Sequence, residues 1–375
     1  MTAPGRGTLA VVAAQSSSEA DGIRDYTDLL VARLRARRDI PVVLFTRRLS
    51  SWTVQISSVG ASQQVDGDLR LHRAAALVLQ YNPFSHGRRG FAPGLVLAML
   101  RLRCRRSRPI IVLMVHETFV DAKNWRWLLM GTWQRLQLRA LQLAADVVFC
   151  TIERWSDDLR RSWPPAPVHH LPVASNLPDR RDHRAEGRAK LGVPDDGLVL
   201  CTFGLDHAGR ITGYIVDAAA AAARGGRPVV LLGLGTGQRR REQIAPGVTL
   251  DVRGFLPDTE APALLAAADL FLAPLQDGVS TRRTTVMAAL QHEVAVVGTD
   301  GHLTDDALRH ATNALRLVAV DDHDEFVAAV CELAANAADR RALAAAGRRL
   351  YEVAFDWPVL VDRLLGALEG GRPRR

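Results

Sequence analysis

The chain has 375 residues, of which 48% are hydrophobic and 23% are charged, a composition typical of a folded globular protein and not of a disordered one. A length of this order predicts two domains, and no apolar run reaches the eighteen or so residues that would span a bilayer. The net charge of +8 comes almost entirely from arginine, since only Lys123 and Lys190 are lysines. Either a GC-rich genome or an anionic partner explains this bias, and nucleic acid is not expected because no recognition motif accompanies the charge.

The N-terminal stretch and the cysteines indicate the cellular compartment of the protein. The apolar stretch Thr8–Ala14 is too short for a secretion signal and is followed by Gln15 and three serines. We therefore expect a cytoplasmic protein, peripheral at most to the inner face of the membrane. The four cysteines include no CxxC pair, which predicts neither a zinc site nor a disulfide framework.

The first half of the chain alternates short apolar runs with longer amphipathic stretches. The runs predict strands buried on both faces, at Leu9–Ala14, Val42–Phe45, Ala76–Gln80, Ile110–Val115 and Val147–Thr151. The stretches between them predict helices, at Tyr26–Arg38, Pro93–Arg105 and Trp125–Ala144. This alternation is typical of a parallel, doubly wound sheet.

A second alternating series follows a proline-rich connection. Five prolines lie between Pro164 and Pro178, and the charged stretch Asp179–Lys190 comes next. The strands predicted after it are Leu198–Phe203, Pro228–Leu232, Val248–Val252, Leu270–Ala273, Ala295–Gly298 and Ala314–Val318. The helices predicted here are Ala261–Ala268, Thr284–Gln291, a long stretch Asp324–Tyr351, and Pro358–Leu368. The sequence thus predicts two α/β domains of similar size.

Loops after strands carry the candidate chemistry, because doubly wound sheets bind ligands beyond the carboxyl ends of their strands. In the first such loop, Ser16–Tyr26, Gly22 would let a phosphate approach a helix N-terminus, unless the loop is a routine capped connection. His116 and Glu117 follow the strand Ile110–Val115, and a histidine there can exchange a proton near neutral pH or simply cap the next segment.

Two further loops are rich in glycine. Gly204 and Gly209 leave room for a phosphate that Arg210 would neutralise, although a solvated arginine in a glycine turn is the alternative. The run Gly233–Gly237, with Gly235 at its centre, looks like a dinucleotide turn. No acidic residue ends a second strand about twenty residues later, so a dehydrogenase is not expected.

The loop Pro274–Thr285 is the most informative. Its part Asp277–Arg283 combines a carboxylate, a glycine, two hydroxyls and two arginines directly before a helix, which suits sugar hydroxyls and a diphosphate. A surface loop with incidental arginines is the alternative. The DxD triplet Asp66–Asp68 lies outside these loops and predicts a turn, not a metal site.

These motifs together resemble the GT-B glycosyltransferases, specifically retaining family 4, also called glycosyltransferase group 1. The stretches that carry the resemblance are Gly22–Thr27, Val115–Glu117, Leu171–Asn176, Thr202–Gly204 with Arg210, Gly233–Gly235, Val252–Pro257, Leu264–Pro274, Asp277–Ser280, Ala295–Thr299, and Trp357 with the last helix. In their order and spacing they span nearly the whole chain.

The resemblance implies a fold and an activity. The fold is α/β GT-B, two facing Rossmann-like domains with parallel doubly wound sheets: residues 1–178 for the acceptor, 190–355 for the donor, and a terminal helix over 356–370 that packs back on the N-terminal domain. The activity is a hexosyltransferase-type transfer from a nucleotide diphosphate sugar to a hydroxyl, with retention. No cofactor is implied beyond the donor substrate, and no metal.

The resemblance also implies roles for residues. Asp277 would position sugar hydroxyls, and His116 with Glu117 would act near the reacting carbon. The donor-binding residues would be Gly22, Gly204, Arg210, Gly235, Arg253, Phe255, Gly278, Val279, Ser280, Thr281, Arg282, Arg283 and Thr285. Two positions depart from the family pattern: Arg210 replaces a lysine, and Thr285 stands where the second of two glutamates is usual. The donor therefore stays open.

The acceptor and the rival functions also stay open. Trp125, Trp127 and Trp133 share one amphipathic region with several arginines, which fits either a membrane surface and a lipid-linked acceptor or an ordinary surface helix. A saccharide or natural-product acceptor is the other option. The rival functions are a pseudo-glycosyltransferase or an epimerase of the same fold, and a non-catalytic nucleotide-sugar-binding protein.

Overall fold

The computed structural model describes residues 8–14, 22–37, 41–47, 53–58, 61–66, 74–122, 124–162, 166–204, 209–235 and 237–370, with the backbone alone at 45–47, 53–58 and 61–66. The chain divides into two compact units. The first comprises Met1–Pro172 and Trp357–Arg375, and the second comprises Val173–Asp356. The last helix of the chain thus belongs to the first unit.

The first unit is built on a parallel sheet that has six strands among the described residues, in the order β2-β1-β5-β6-β7-β8. The strands are β1 Leu9–Ala14, β2 Val42–Arg47, β5 Ala76–Tyr81, β6 Ile110–Val115, β7 Val147–Cys150 and β8 Val168–His170. Their apolar side chains are buried on both faces, as expected for a parallel sheet covered by helices. A separate antiparallel hairpin, β3 Thr53–Ser58 and β4 Ala61–Asp66, was not predicted from the sequence.

Helices of the first unit connect these strands. They are α1 Gly22–Ala36, α2 Pro93–Arg103, α3 Trp125–Ala144, α4 Glu153–Arg161 and α12 Trp357–Gly370, with short 3₁₀ turns at Pro83–Ser85 and Arg88–Gly90. Because β1 lies between β2 and β5, the winding direction of the sheet reverses between β1 and β5. The carboxyl ends of the central strands β5 and β6 lead directly into the residues around Asn82 and His116.

The second unit has seven strands in its described part, in the order β11-β12-β10-β9-β13-β14-β15. The strands are β9 Leu198–Phe203, β10 Val229–Leu234, β11 Arg240–Ala245, β12 Val248–Gly254, β13 Leu270–Ala273, β14 Ala295–Asp300 and β15 Arg316–Ala319. Strand β11 pairs antiparallel to β12 at the edge, and the other pairs are parallel. Sequence patterning missed β11 because four of its six residues are exposed.

Helices of the second unit pack on this sheet. They are α5 Arg184–Leu191, α6 Thr212–Ala223, α7 Ala261–Ala266, α8 Thr284–Gln291, α9 Asp306–Arg309, α10 His323–Ala335 and α11 Ala337–Ala354, with a 3₁₀ turn at Arg181–His183. The sequence predicted one helical stretch over Asp324–Tyr351, whereas the structure breaks it at Asn336. The Asn336 side chain accepts hydrogen bonds from the amides of Ala338 and Asp339, which starts a new helix there.

No helix in the described part of the chain is both long and apolar enough to cross a membrane. Two cysteine thiols, Cys150 and Cys201, are buried, and burial raises the pKa of the Cys150 thiol to about 12. These two thiols therefore stay protonated and pack as small apolar groups.

Candidate active site

The second sheet reverses its winding direction between β9 and β13. From β9 the chain adds β10 and β12 on one side, and it then returns to add β13 and β14 on the other side. Ligands of doubly wound sheets bind in the crevice at such a switch point. The loops that follow β9 and β13 flank this point, where a β-bridge joins Arg210 to Leu275 and the Gln276 amide donates to the Gly209 carbonyl at 2.8 Å. Two of the loops singled out from the sequence are thus neighbours.

Gly278 forms a turn that admits only glycine. Its φ is +85°, and a Cβ atom built there would lie 2.2 Å from Oγ1 of Thr304 and 2.3 Å from the amide nitrogen of Gly301. Gly301 is equally confined, since its own Cβ would lie 2.6 Å from the carbonyl carbon of Asp277. Positive φ and close backbone contact both exclude a larger residue here. The backbone that carries Asp277 is therefore fixed against the segment that follows β14.

The residues after this turn are buried and their backbone amides are engaged. Val279 and Thr281 are both 0% exposed. The Val279 amide donates to the carbonyl of Thr299 at 2.8 Å. The Thr281 amide and hydroxyl both donate to Oδ2 of Asp305, at 2.6 and 2.9 Å. These hydrogen bonds of Val279 and Thr281 brace the loop internally.

The Asp277 side chain lies between Arg282 of the same loop and His302 of the segment after β14. Nη2 of Arg282 lies 3.7 Å from one carboxylate oxygen of Asp277, and Nε2 of His302 lies 3.8 Å from the other. The side chains of Asp277 and His302 are 39% and 53% exposed. Long ion pairs at this exposure contribute little to stability, so they rearrange at low cost when a ligand arrives.

Helix α8 starts at the end of this loop. Arg283 is its N-cap residue, and no side chain caps the helix. The Arg283 amide donates to the carbonyl of Ser280 at 3.0 Å, while the buried Ser280 hydroxyl has no hydrogen-bond partner within the described residues. An uncapped helix N-terminus beside arginines attracts anions.

Gly204, Arg210 and Thr285 converge at the end of β9. A Cβ atom built on Gly204 would lie 3.3 Å from Cγ2 of Thr285 and 3.7 Å from Nη2 of Arg210. Gly235, at the end of β10, approaches from the other side, since its Cβ would lie 3.5 Å from Cα of Gly204. Nη2 of Arg210 donates to the carbonyl of Phe203 at 2.9 Å. Four residues of the predicted donor set thus share one small region.

Arg253 and Phe255 lie at the end of β12 and differ in their surroundings. Two nitrogens of Arg253 donate to the two carboxylate oxygens of Asp251, at 2.6 and 2.8 Å, and its side chain is 9% exposed. Arg241 contacts the same carboxylate at 2.9 Å. Phe255, in contrast, is 70% exposed. Of these two predicted neighbours of the base, only Phe255 presents its side chain to solvent.

His116, in the first unit, is a buried and neutral histidine. Its Nε2 lies 2.6 Å from Oε1 of Gln80, and its ring packs edge-on against Tyr26 with ring centroids 5.2 Å apart. Tyr26 in turn packs against Trp357 of α12, with centroids 5.1 Å apart. Burial lowers the pKa of His116 to about 4. The imidazole is therefore uncharged at neutral pH.

Glu117 and Gly22 complete the predicted residues of this unit. Nδ2 of Asn82 donates to Oε2 of Glu117 at 2.9 Å, which links the ends of β5 and β6. Gly22 begins α1, and a Cβ atom built on it would meet no atom within 4 Å. Gly22 is thus not required by the packing of this unit.

Parts of three predicted loops lie outside the described residues. They are residues 15–21, 205–208 and Thr236, together with Gly67 and Asp68 of the DxD triplet. Within the described residues, no three or more His, Cys, Asp or Glu side chains are grouped so that they could hold a metal ion.

Sequence reasoning missed Gln80 and Asp305, which hold His116 and Thr281 in place. A glutamine inside the apolar run of β5 was a signal, because a buried amide requires a partner. Asp305 had no such signal, since its hydrogen bonds reach across 24 positions of the chain.

One comparison with known proteins gives a family match within the second unit. A sequence model of the family described as "Glycosyl transferases group 1" matches residues 200–336. No curated protein matches the chain at a significant level.

Solved structures resemble the chain over nearly its whole length. A sucrose-phosphate synthase from Thermosynechococcus elongatus has a TM-score of 0.65 at 16% identity, over 97% of this chain and 99% of that one. Anabaena Alr3699/HepE, in complex with UDP-glucose, has a TM-score of 0.63 at 15% identity, over 97% and 100%. A glycosyltransferase from Rickettsia africae has a TM-score of 0.66 at 9% identity, over 98% and 99%. At these identities the likeness shows the fold.

These findings confirm three predictions. The two parallel-sheet α/β units confirm the GT-B fold class. The family match, over residues 200–336, confirms the resemblance to glycosyltransferase group 1, and with it a glycosyltransferase. The roles assigned to individual residues stay predictions.

Proposed function

We propose that this glycosyltransferase moves a sugar from a nucleotide diphosphate sugar to a hydroxyl of its acceptor, and that the second unit binds the donor. The joined loops at the switch point of the second sheet carry the proposal. They hold Arg210, Arg282 and Arg283 beside an uncapped helix start and one carboxylate, Asp277. Arginine suits phosphate oxygens because its planar fork donates two hydrogen bonds at once.

The three arginines would stabilise the leaving group. Negative charge grows on the diphosphate as the glycosidic bond breaks, so cations aimed at it stabilise the transition state more than the bound substrate. The amides of Val279 and Thr281 have internal acceptors. The guanidinium groups and the first turn of α8 therefore carry this task in the proposal, while the buried segment keeps them in place.

Asp277 would orient the sugar. An ionised carboxylate only accepts hydrogen bonds, which matches the hydroxyl donors of a hexose. Its neighbours Arg282 and His302 lie 3.7 and 3.8 Å away and limit how the carboxylate turns. Gly204, Gly235 and Gly278 would keep the surrounding backbone close to the donor.

In the first unit, His116 would act on the substrate as a neutral imidazole. Its pKa of about 4 means that it offers a hydrogen bond without a positive charge. Gln80 holds one ring nitrogen, which directs the other toward a substrate hydroxyl in this proposal. Glu117, anchored by Asn82, would support the same strand end.

UDP-glucose is the donor to test first, since the similar HepE structure contains it. Retention of configuration and metal-independent transfer are parts of the proposal that follow from the family pattern. The arginines would supply the cationic charge at the diphosphate. The acceptor side of the proposal is a saccharide, a natural product or a lipid-linked hydroxyl, handled by a cytoplasmic protein.

A thermal-shift panel of nucleotide diphosphate sugars tests the donor assignment. At a given concentration, a ligand that binds the folded chain more tightly raises the unfolding temperature more. We expect one donor to stand out and Arg282→Ala to weaken it by about 10- to 100-fold, the worth of one charge-assisted interaction. Arg349→Ala is the matched control, an exposed arginine of the same unit on α11. Donor affinity that survives Arg282→Ala unchanged, or a panel with no stabilising member, would contradict the proposal.

Product analysis separates the rival functions. Transfer yields a glycoside and a nucleoside diphosphate, an epimerase returns a nucleotide sugar of altered configuration, and a pseudo-glycosyltransferase couples a ring that is not a sugar. Tight donor binding without any turnover would identify a non-catalytic binding protein.

A further inference from the structure

Helix α3 of the first unit is amphipathic in the reverse of the usual sense. The glutamines Gln134, Gln137 and Gln142 are 0%, 9% and 3% exposed, whereas the leucines Leu136 and Leu143 are 61% and 55% exposed. The buried amides are used: Oε1 of Gln137 accepts the Ala92 amide at 2.6 Å, and Oε1 of Gln134 accepts the Val120 amide at 2.9 Å. The glutamines thus hold the neighbouring backbone, while four of the six leucines of α3 are exposed and two, Leu138 and Leu141, are buried.

Five of the six exposed large apolar side chains of α3 form one line along the helix, and the sixth, Trp127, lies on another side. At 3.6 residues per turn, the side chains of this line fall within an arc of about 100° on the side opposite the buried residues. They are Trp125, Leu128, Leu129, Leu136 and Leu143, which we call the apolar stripe. The exposed Thr132 and Arg139 fall on the same arc. A monomeric soluble protein rarely exposes this many large apolar side chains on one helix face, so the stripe marks an interaction surface.

Exposed large apolar side chains are few on the rest of the described surface. Of the twelve exposed large hydrophobic side chains in the described part of the chain, nine lie between residues 84 and 143. The remaining three of these side chains are scattered over the second unit, at Val216, Phe255 and Val353.

The same region is strongly cationic. Residues 84–145 contain ten arginines and one lysine against two acidic residues, Glu117 and Asp121. Arg103 and Arg108 are paired with Asp146. Seven exposed arginines form no ion pair with a carboxylate of the described residues: Arg88, Arg89, Arg101, Arg105, Arg106, Arg126 and Arg139. The Arg126 guanidinium lies 5.3 Å from the ring centroid of Trp125, within the stripe itself.

The positive charge beside the apolar stripe indicates which kind of partner binds there. In a symmetric dimer the same patch meets itself, so a second copy would bring the arginines of both chains together without acidic partners. An anionic bilayer surface fits both the stripe and the arginines. Aliphatic and tryptophan side chains enter the boundary between headgroups and acyl chains, and arginines pair with lipid phosphates.

We propose that α3 and the arginines beside it dock this protein on an anionic membrane surface, with the apolar stripe in the headgroup region. This docking rests on the proposed function and adds to it. A docked first unit would meet a hydroxyl acceptor that is carried by the membrane. The helix lies on the bilayer and does not cross it.

Co-sedimentation of the full chain with vesicles tests the docking. We expect binding to phosphatidylcholine vesicles that contain about one third phosphatidylglycerol, and little binding to phosphatidylcholine alone. Arg126→Glu with Arg139→Glu should lower the partition constant at least about twentyfold, at about fivefold for each lost cation. Leu129→Ser with Leu136→Ser should lower it about tenfold or more, because apolar area no longer leaves water.

Val353→Ser with Arg349→Glu is the matched control, since both side chains are exposed on one helix, α11, of the second unit. It should bind vesicles like the wild type. All variants change exposed side chains, so the unfolding temperature and the shift caused by UDP-glucose should stay as they are. These readouts separate a failure of docking from a failure of the donor assignment.

Three results would overturn the docking. They are no sedimentation with anionic vesicles, equal loss in the matched control, or a dimer in solution that Leu129→Ser with Leu136→Ser dissociates. The last result would assign the stripe to a second copy of the chain.

Discussion

The loop after β13 and the strand end at His116 are two regions that use opposite electrostatic means. The first places Arg282 and His302 beside one carboxylate, Asp277, at the half-exposed rim of the second sheet. The second holds a single neutral imidazole among Gln80, Tyr26 and other uncharged groups in the interior of the first unit. In the proposed function the first region binds the diphosphate, and the second contacts a sugar hydroxyl.

The two regions also differ in what fixes them. Backbone geometry fixes the β13 loop, through Gly278, Gly301 and the brace from Thr281 to Asp305. One side-chain hydrogen bond and ring packing fix His116. Substitutions should therefore act on stability in the first region and on protonation in the second.

The largest expected effect is that of Gly278→Ala, which tests whether backbone geometry fixes the β13 loop. A methyl group at φ +85° would overlap Thr304 and Gly301, so strain and overpacking together should cost about 4 kcal/mol of unfolding free energy. Urea unfolding of the purified chain measures it. Gly213→Ala is the control, because a Cβ there meets nothing within 4 Å. Equal unfolding midpoints for the two variants would show that the turn is not confined.

The next largest effect is the loss of stability in acid, which tests the protonation of His116. Burial lowers the pKa of His116 from 6.5 to about 4, so the unfolded chain binds a proton in this interval and the folded chain does not. The stability due to this group is complete above about pH 6.5 and falls by about 3 kcal/mol as the pH drops toward 4. His170 behaves in the same way, so the measurement is the difference between wild type and His116→Asn in urea unfolding at about pH 7 and about pH 4.5. An identical acid loss in both proteins would contradict the assignment.

Gln80→Glu sharpens the same point through activity. A carboxylate beside Nε2 of His116 would raise the pKa of the imidazole and give it a positive charge at higher pH. We expect the acid limb of the pH–rate profile to move to higher pH, whereas Gln80→Leu, which adds no charge, should lower the rate without moving that limb. A profile that does not move in Gln80→Glu would remove Gln80 as the residue that positions His116.

The smallest effect on stability is expected for Gly22→Ala. The position is open, so the unfolding free energy should stay within about 0.5 kcal/mol of the wild type. If the donor approaches the backbone at Gly22, its affinity should still fall, by about tenfold. Gly366→Ala, equally open and in α12, is the control and should leave donor affinity intact. Unchanged donor affinity in Gly22→Ala would exclude this glycine from the site.

Sequence patterning recovered most of the fold because buried parallel strands are continuous apolar runs. It missed β11 and the β3–β4 hairpin, whose residues are largely polar, and it merged α10 with α11 because an Ala-rich pattern hides the capping role of Asn336. In the site it found the loops after β9 and β13 from their residue types.

The sequence by itself determined the order of the strands and helices and the chemistry of the loops at their ends, because hydrophobic period and residue type are local properties. Only the tertiary structure decided the partners: Asp305 for Thr281, Asp251 for Arg253, and Gln80 for His116. It also decided that α3 buries its three glutamines and exposes four of its six leucines. Such choices depend on groups that are distant along the chain and meet only when the chain has folded.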